Sequence, residues 1–210
     1  VRMGLQPALS NSSMELSLNR ALDRAVTHAS VGHTDALFFE LNAAGPSQTH
    51  VHRLDGATPP APLSPAAGAV LLTLCDADTP VHLAGATDCP AVRQWIAFHI
   101  GAPISGAADC TFALGRWEDL DHDRYPVGTP EYPDRSATLI VETDRLTAEG
   151  ARLAGPGIRD TATLSLPESD LLSRNRTLFP LGLDLILACG AQVAAVPRTI
   201  RVQFPATEDR

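Results

Sequence analysis

The sequence predicts an α/β protein of three layers, in which helices flank a mixed, open β-sheet. Segments with helical spacing of apolar residues alternate with short apolar runs that are typical of strands. The chain also closes with two apolar runs on either side of Gly190-Ala191, which is the pattern of a β-hairpin. A hairpin makes the sheet mixed rather than wholly parallel. With 210 residues, the chain is long enough for one domain with a sizeable core.

The first fifty residues show the weakest periodicity. Polar residues at 10–13 can cap a helix over about 14–28, and the chain from there to 50 has no clear pattern. We therefore expect an atypical amino-terminal segment, 1–50, followed by a single α/β domain, 51–210. The Pro/Ala loop at 58–62 is too short to divide that domain.

Helical and strand patterns follow one another through the middle of the chain. Proline near the first turn and glycine or proline after the last one mark the helices. The predicted helices cover 65–74, 90 to 98 or 99, and 167–174, with a single helical turn over 117–121. The predicted strands cover 81–83, 110–114, 137–142, 151–154 and 161–164, and a loop with three prolines covers 125–135.

The carboxyl-terminal hairpin is the most informative segment. Its first run, 183–188, is apolar on both faces except at Asp184, which indicates a strand covered on both sides. A carboxylate in such a place must be paired or hydrogen-bonded. With a two-residue turn, Asp184 lies opposite Pro197, and Arg198 projects from the other face. We therefore expect no Asp184–Arg198 ion pair: Asp184 would accept backbone N–H groups of the 179–182 loop. Arg198 would be free to bind a carboxylate or phosphate.

Short segments between about residue 52 and residue 202 point to one protein family. In chain order they are 71–81 (Leu-Leu-Thr-Leu-Cys-Asp-Ala-Asp-Thr-Pro-Val), 98–103 (Phe-His-x-x-Ala-Pro), 108–113 (Ala-Asp-Cys-Thr-Phe-Ala), 128–140 (Gly-Thr-Pro-Glu-Tyr-Pro-Asp-Arg-Ser-Ala-Thr-Leu-Ile), 153–158 (Leu-Ala-Gly-Pro-Gly-Ile), 179–187 (Phe-Pro-x-Gly-x-Asp-x-x-Leu) and 197–199 (Pro-Arg-Thr). In content and order they resemble PhnH, a subunit family of the bacterial carbon–phosphorus lyase system. The first fifty residues lack the Phe-Arg helix and the Ala-Met-x-x-Pro-Gly segment with which that family usually opens.

The resemblance implies a fold, a function and a set of partners. The family's fold is similar to the large domain of pyridoxal-phosphate-dependent transferases, and Phe179, Pro180, Gly182 and Asp184 belong to its structural motif. The implied role is that of a non-catalytic, cytoplasmic subunit that pairs with itself and with the G, I and J subunits of the lyase core complex. That complex forms alpha-D-ribose 1-methylphosphonate 5-triphosphate from a phosphonate and a nucleoside triphosphate, a transferase-type step.

Composition excludes several functions. All 16 basic residues other than histidine are arginines, so the chain has no lysine for a Schiff base with pyridoxal phosphate or for a Walker-type phosphate loop. A net charge of −8 argues against nucleic acid as a partner. No apolar run approaches the roughly 20 residues that cross a bilayer, and the amino end shows no secretion signal, so we expect no membrane partner.

No catalytic residue, metal site or cofactor is predicted. The four cysteines are scattered at 75, 89, 110 and 189, without the spacing of a zinc or iron–sulfur site, and each adjoins an apolar run typical of a small buried residue. Reduced thiols agree with a cytoplasmic protein. No Gly-x-Ser-x-Gly turn or other nucleophile–base set occurs.

Some residues keep two interpretations. Asp76 and Asp78 could supply half of a metal site, but acceptance of backbone N–H groups in a turn is favoured. His99 is interpreted as a hydrogen-bonded core residue or a partner of the helix C-terminus rather than a general base. The His50–His52 pair is more typical of a surface strand than of a metal site. The segment 155–157 is more typical of a tight turn between strands than of a phosphate loop.

Two further hypotheses remain from the sequence. In the first, the subunit has its own phosphonate or nucleotide site, built from Arg198, Thr199, the Asp76–Asp78 turn and a neighbouring chain. In the second, the altered amino-terminal segment has cost this family member its assembly. The helix with Trp95 and Phe98 could partly face a partner, although core packing is the favoured interpretation.

Overall fold

A computed structural model describes residues 51–54, 56–156, 158 and 160–205, and the predicted helix over 14–28 lies outside them. Nine strands form two sheets within this part of the chain. The large sheet contains β1 (His52–Arg53), β2 (Val81–Leu83), β3 (Phe112–Arg116), β4 (Thr138–Glu142), β7 (Asp184–Cys189) and β8 (Gln192–Val196). The small sheet contains β5 (Ala151–Ala154), β6 (Ala162–Leu164) and β9 (Arg201–Gln203). Three α-helices occur in the same part of the chain: α1 (Pro65–Leu74), α2 (Pro90–His99) and α3 (Asp170–Leu178).

The large sheet is mixed, as predicted. Its strand order is β1-β8-β7-β4-β3-β2. Strands β2, β3, β4 and β7 run parallel to one another, whereas β8 is antiparallel to both β7 and β1. The parallel strands consist mainly of buried apolar residues, because both faces of the sheet are covered.

Helices α1 and α2 cover one face of the large sheet. Each has proline at the start of its first turn, and the hydroxyl of Ser64 caps α1 by accepting the N–H of Ala67. Their buried side chains pack against those of the sheet that point the same way. This core contains Ala66, Ala67, Val70, Leu71, Val92, Ile96, Phe112, Leu114, Ile140 and Ile186.

The other face is covered differently from the prediction. Of the described α-helices, only α3 lies on that face, and the small sheet takes the place of a second helix layer. The shared core includes Leu153, Leu164, Leu171, Leu172, Leu139 and Leu185. The strands predicted at 151–154 and 161–164 exist, but they pair with each other and with β9 rather than joining the large sheet. The molecule is therefore a mixed α/β protein, and its likeness to pyridoxal-phosphate-dependent transferases stays a prediction.

Most boundaries of the predicted elements lie within two residues of the observed ones, and α3 is the main exception. It begins at Asp170 rather than at residue 167 and extends to Leu178. The reason is local, because the hydroxyl of Ser169 accepts the N–H of Leu171. This cap fixes the start of the helix after Pro167 rather than at it.

The closing hairpin has the predicted turn and register. Gly190 has φ +57°, whereas Ala191 has a negative φ, because no described non-glycine residue has a positive one. A type II′ turn requires this combination, with glycine at its first central position. Cys189 pairs with Gln192 and Leu185 with Val196, so Asp184 stands opposite Pro197. Strand β8 ends at Val196, because Pro197 has no N–H to donate.

No helix in the described residues is long and apolar enough to span a bilayer. The four cysteines are free: Cys75 and Cys110 are buried, as predicted, whereas Cys89 and Cys189 are partly exposed.

Glu142 joins the end of β4 to the start of α1. Its Oε1 accepts the backbone N–H of Ser64 at 2.7 Å, so the carboxylate lies at the amino end of that helix. Burial nevertheless raises the pKa of Glu142 above the ordinary value of 4.5, and the Ser64 hydrogen bonds oppose that shift only in part.

Replacement of Glu142 with glutamine should make stability less dependent on pH. Because the folded-state pKa is raised, the folded chain holds the proton more tightly, and wild-type stability falls as pH rises from about 4.5 through the folded pKa. The glutamine side chain would keep an oxygen for the Ser64 N–H without the partly buried charge. The variant should therefore gain stability relative to wild type across that window, measured by urea unfolding over the acid-to-neutral range. The exposed Glu131→Gln change is the control, and a Glu142→Gln difference that is flat or falls with pH would contradict the prediction.

Candidate functional site

A largely buried ion pair lies where β7 begins and β8 ends. The Nη2 of Arg198 donates to Oδ2 of Asp184 at 2.6 Å, and its Nε donates to Oδ1 at 3.3 Å. The backbone N–H of Arg198 donates to the same Oδ1 at 2.8 Å. The exposed fractions of the Arg198 and Asp184 side chains are only 14% and 8%. Three donors thus satisfy a carboxylate that the surrounding sheet would otherwise leave unpaired.

The same guanidinium holds the loop at 125–135, before β4, which is called the proline-rich loop below. Its Nη1 donates to the carbonyl oxygen of Pro133 at 2.8 Å. Gly128, with φ +84°, lies against this carbonyl, and a Cβ at Gly128 would stand 2.7 Å from the oxygen. Any side chain at 128 would therefore move the acceptor of Arg198.

The loop that leads into β7 is held by Asn175 of α3. The Nδ2 of Asn175 donates to the carbonyl of Leu183 at 2.7 Å, and the N–H of Leu183 donates to Oδ1 at 2.9 Å. Gly182, with φ +136°, allows this approach, because a Cβ there would stand 2.7 Å from Oδ1 of Asn175. The N–H of Gly182 donates to the carbonyl of Val127, so this loop and the proline-rich loop are joined directly.

Three of the sequence segments that resemble PhnH therefore meet at one point. They are the segment at 128–140, the segment at 179–187 and the Pro-Arg-Thr segment at 197–199. We call Asp184, Arg198, Asn175, Gly182 and the Pro133 carbonyl the Arg198 cluster.

Two predictions about this cluster are wrong. Asp184 and Arg198 form an ion pair, although the hairpin register that argued against one is correct. The alternation of faces applies only to extended chain, and after Val196 the chain turns, with the N–H of Ile200 donating to the carbonyl of Pro197. Asp184 consequently binds Arg198 rather than the 179–182 loop, and Arg198 is not free.

Sequence reasoning missed Asn175 and the Pro133 carbonyl. Asparagine is a poor residue for a helix interior, so its presence near the end of α3, shortly before a strand, was a usable signal. A backbone carbonyl carries no such signal, because every residue has one.

Of the other predicted ligand-binding residues, Asp76 and Asp78 lie apart from Arg198, whereas Thr199 adjoins it. Thr199 is exposed and follows Arg198 directly. The Asp76–Asp78 turn precedes β2, so it lies at the same end of the strands as Arg198. However, β7, β4 and β3 stand between β8 and β2. Four strand spacings of about 4.8 Å separate these two strands by roughly 19 Å. Within one chain these residues do not form a single pocket, and their ligand-binding role stays a prediction.

The Asp76–Asp78 turn has the favoured geometry. Oδ1 of Asp76 accepts the N–H of Asp78 at 2.9 Å, and the hydroxyl of Thr79 accepts the N–H of Asp76 at 2.6 Å. In the described residues, no group of three or more His, Cys, Asp or Glu side chains is placed to hold a metal ion.

The remaining candidates behave as surface or turn residues. His99 is exposed, so it is not a core residue, but its place in the last turn of α2 agrees with the alternative interpretation as a partner of the helix C-terminus. Phe98 is 84% exposed, which contradicts core packing. His52 lies in β1, which agrees with the predicted strand, and His50 lies outside the described residues. The chain turns after Gly155, whose carbonyl accepts the N–H of Ile158, before β6 begins.

The Arg198 cluster is suited to holding segments together. Its charges are paired, its hydrogen bonds join β7, the chain just after β8, α3 and the proline-rich loop, and no nucleophile adjoins a base within it. Chemically, it can fix the shape of one edge of the molecule.

Comparison with known proteins identifies the family. A family model described as "Bacterial phosphonate metabolism protein (PhnH)" matches residues 28–203. The chain belongs to the PhnH family. This confirms the resemblance predicted from the short segments, and the match begins upstream of the segments that carried it.

Two curated relatives of this PhnH family member agree. The "Alpha-D-ribose 1-methylphosphonate 5-triphosphate synthase subunit PhnH" of Rhizobium meliloti (strain 1021) is 41% identical over 157 residues, which is 70% of this chain and 78% of the relative. The "Putative C-P lyase subunit protein HtxG" of Stutzerimonas stutzeri is 36% identical over 85 residues, which is 37% of this chain and 43% of the relative. Both names describe a subunit, so the PhnH family member described here is similar to parts of larger assemblies.

Proposed function

We propose that this chain is a non-catalytic subunit of a carbon–phosphorus lyase core complex. In that role it supports formation of alpha-D-ribose 1-methylphosphonate 5-triphosphate from a phosphonate and a nucleoside triphosphate. The observation that carries the proposal is the 41% identity to the Rhizobium meliloti synthase subunit over 70% of the chain. The paired charges of the Arg198 cluster support a structural role for its most buried polar residues.

The proposal includes partners and a location. The chain assembles with the G, I and J subunits, pairs with a second copy of itself, and works in the cytoplasm. Four free cysteines support a reducing compartment. The subunit names of both relatives support assembly with other chains.

Co-expression tests the assembly directly. The full chain, with an affinity tag, is produced together with the G, I and J subunits and purified through that tag. The expected result is a complex that contains all four chains and forms the ribose phosphonate product, whereas the G, I and J subunits alone form none. Product formation by this chain alone would overturn its non-catalytic role, and failure of the wild-type chain to retain any partner would overturn the proposal.

The competing hypothesis is a ligand site of the subunit's own. Its predicted residues are Arg198, Thr199, Asp76 and Asp78, with a neighbouring chain completing the site. Calorimetric titration of the isolated chain with ATP and with methylphosphonate separates the two hypotheses. Saturable binding at micromolar concentration would favour the competing one.

A further inference from the structure

The outer face of α2 carries a group of aromatic rings. Phe98 has the largest exposed fraction, 84%, among the large hydrophobic residues that the structure describes. Its ring lies 4.8 Å from that of His99, in an edge-to-face arrangement, and His99 lies 5.1 Å from the ring of the half-buried Trp95. We call Trp95, Phe98 and His99 the aromatic patch. The opposite face of α2 is buried through Val92 and Ile96, so the helix is held to the sheet without Phe98.

Two carboxylates lie beside the end of α2, the helix that carries the aromatic patch. Helix α2 ends before Gly101, whose φ of +75° turns the chain, and a Cβ at Gly101 would lie 4.0 Å from Cβ of Ala77. This contact places the Asp76–Asp78 turn beside the end of α2. Both aspartates are exposed, and neither forms an ion pair with another described residue.

Such a surface has the composition of a binding site for another protein. Single exposed apolar residues are common, but clustered aromatic rings beside charged groups are typical of the centre and rim of protein interfaces. Aromatic residues at such centres often dominate the affinity. The two carboxylates make this rim negatively charged. They therefore favour a partner with basic residues at the matching positions.

We propose that the aromatic patch and the Asp76–Asp78 turn dock a different subunit of the complex. The docked segment presents an apolar side chain to Phe98 and lysine or arginine side chains to Asp76 and Asp78. A second copy of this chain fits the surface less well. A two-fold contact through the patch would bring two acidic borders together, in a chain whose net charge is already −8. This inference rests on the proposed function, which supplies the partner subunits.

Replacement of Phe98 with serine tests the surface. The tagged variant is co-expressed with the G, I and J subunits, and its affinity for them is measured by titration. The affinity should fall about thirtyfold, as for removal of a dominant interface side chain. Phe179→Ser is the matched control, because Phe179 is 60% exposed and follows α3 on the opposite face of the sheet. Thermal unfolding of both variants checks that each is folded.

The outcomes separate this inference from the proposed function. If Phe98→Ser binds the partners as tightly as the wild-type chain does, the inference is overturned and the proposed function stays intact. Loss of self-association in Phe98→Ser, with partner binding unchanged, would assign the surface to a second copy and also overturn it. Wild-type chain that binds no partner would overturn both.

Asp78→Asn tests the charge of the border separately. The change keeps the size of the side chain and leaves the Asp76 acceptor in the turn intact. Partner affinity should fall about threefold in roughly 50 mM salt, and the difference should shrink in roughly 500 mM salt, because exposed charges are screened. An equal affinity of Asp78→Asn and wild type at low salt would overturn the predicted basic partner.

Discussion

Replacement of Arg198 with alanine is expected to lower the free energy of unfolding by about 3–5 kcal/mol. The change leaves the carboxylate of Asp184 buried without its cation, and it also removes the donor to the carbonyl of Pro133. For a chain of this size, the midpoint of thermal unfolding should fall by about 6–20 °C. Urea unfolding at neutral pH measures the free energy, and calorimetry measures the midpoint.

Two further variants show whether the ion pair is the cause. Arg201→Ala removes an exposed arginine three residues later, in β9, and should change stability by less than about 0.5 kcal/mol. Arg198→Lys keeps the charge without the planar fork that reaches both Asp184 oxygens, and its loss should be intermediate. A loss in Arg198→Ala no greater than that in Arg201→Ala would show that the pair does not stabilise the fold.

Replacement of Asn175 with alanine is expected to lower the free energy of unfolding by about 2–4 kcal/mol. The N–H and the carbonyl of Leu183 both lose their partner, and both lie in a buried position. The higher helix propensity of alanine offsets about 0.5 kcal/mol of this loss. Chemical unfolding gives the size of the effect. Hydrogen exchange at Leu183 should become faster, because its N–H no longer has an acceptor in the side chain at 175.

A nearby position in the same helix provides the control. Thr177→Ala removes an exposed hydroxyl that donates to the carbonyl of Arg174, and it should change stability by less than about 0.5 kcal/mol. Asn175→Asp distinguishes the two hydrogen bonds. It keeps an acceptor for the Leu183 N–H but loses the donor to the carbonyl, so a stability equal to wild type would contradict a role for the Nδ2 contact.

Much of the fold follows from local patterns in the sequence. The apolar run at 183–188, broken only by Asp184, predicts a strand covered on both faces, and β7 is such a strand. The Gly190-Ala191 turn predicts the register of β7 with β8. Capping residues and prolines place α1 and α2. These features depend on neighbours along the chain, so the sequence contains what is needed to infer them.

The sequence alone determined the family, the helices, most strands and the pairing in the hairpin. Only the tertiary structure decided that β5 and β6 join β9 in a separate sheet, that Asn175 binds Leu183, and that Arg198 binds Asp184. The physical reason is that alternation along a strand holds only while the chain stays extended. Beyond Pro197 the path of the chain, and with it the position of Arg198, depends on contacts with residues that are distant in sequence.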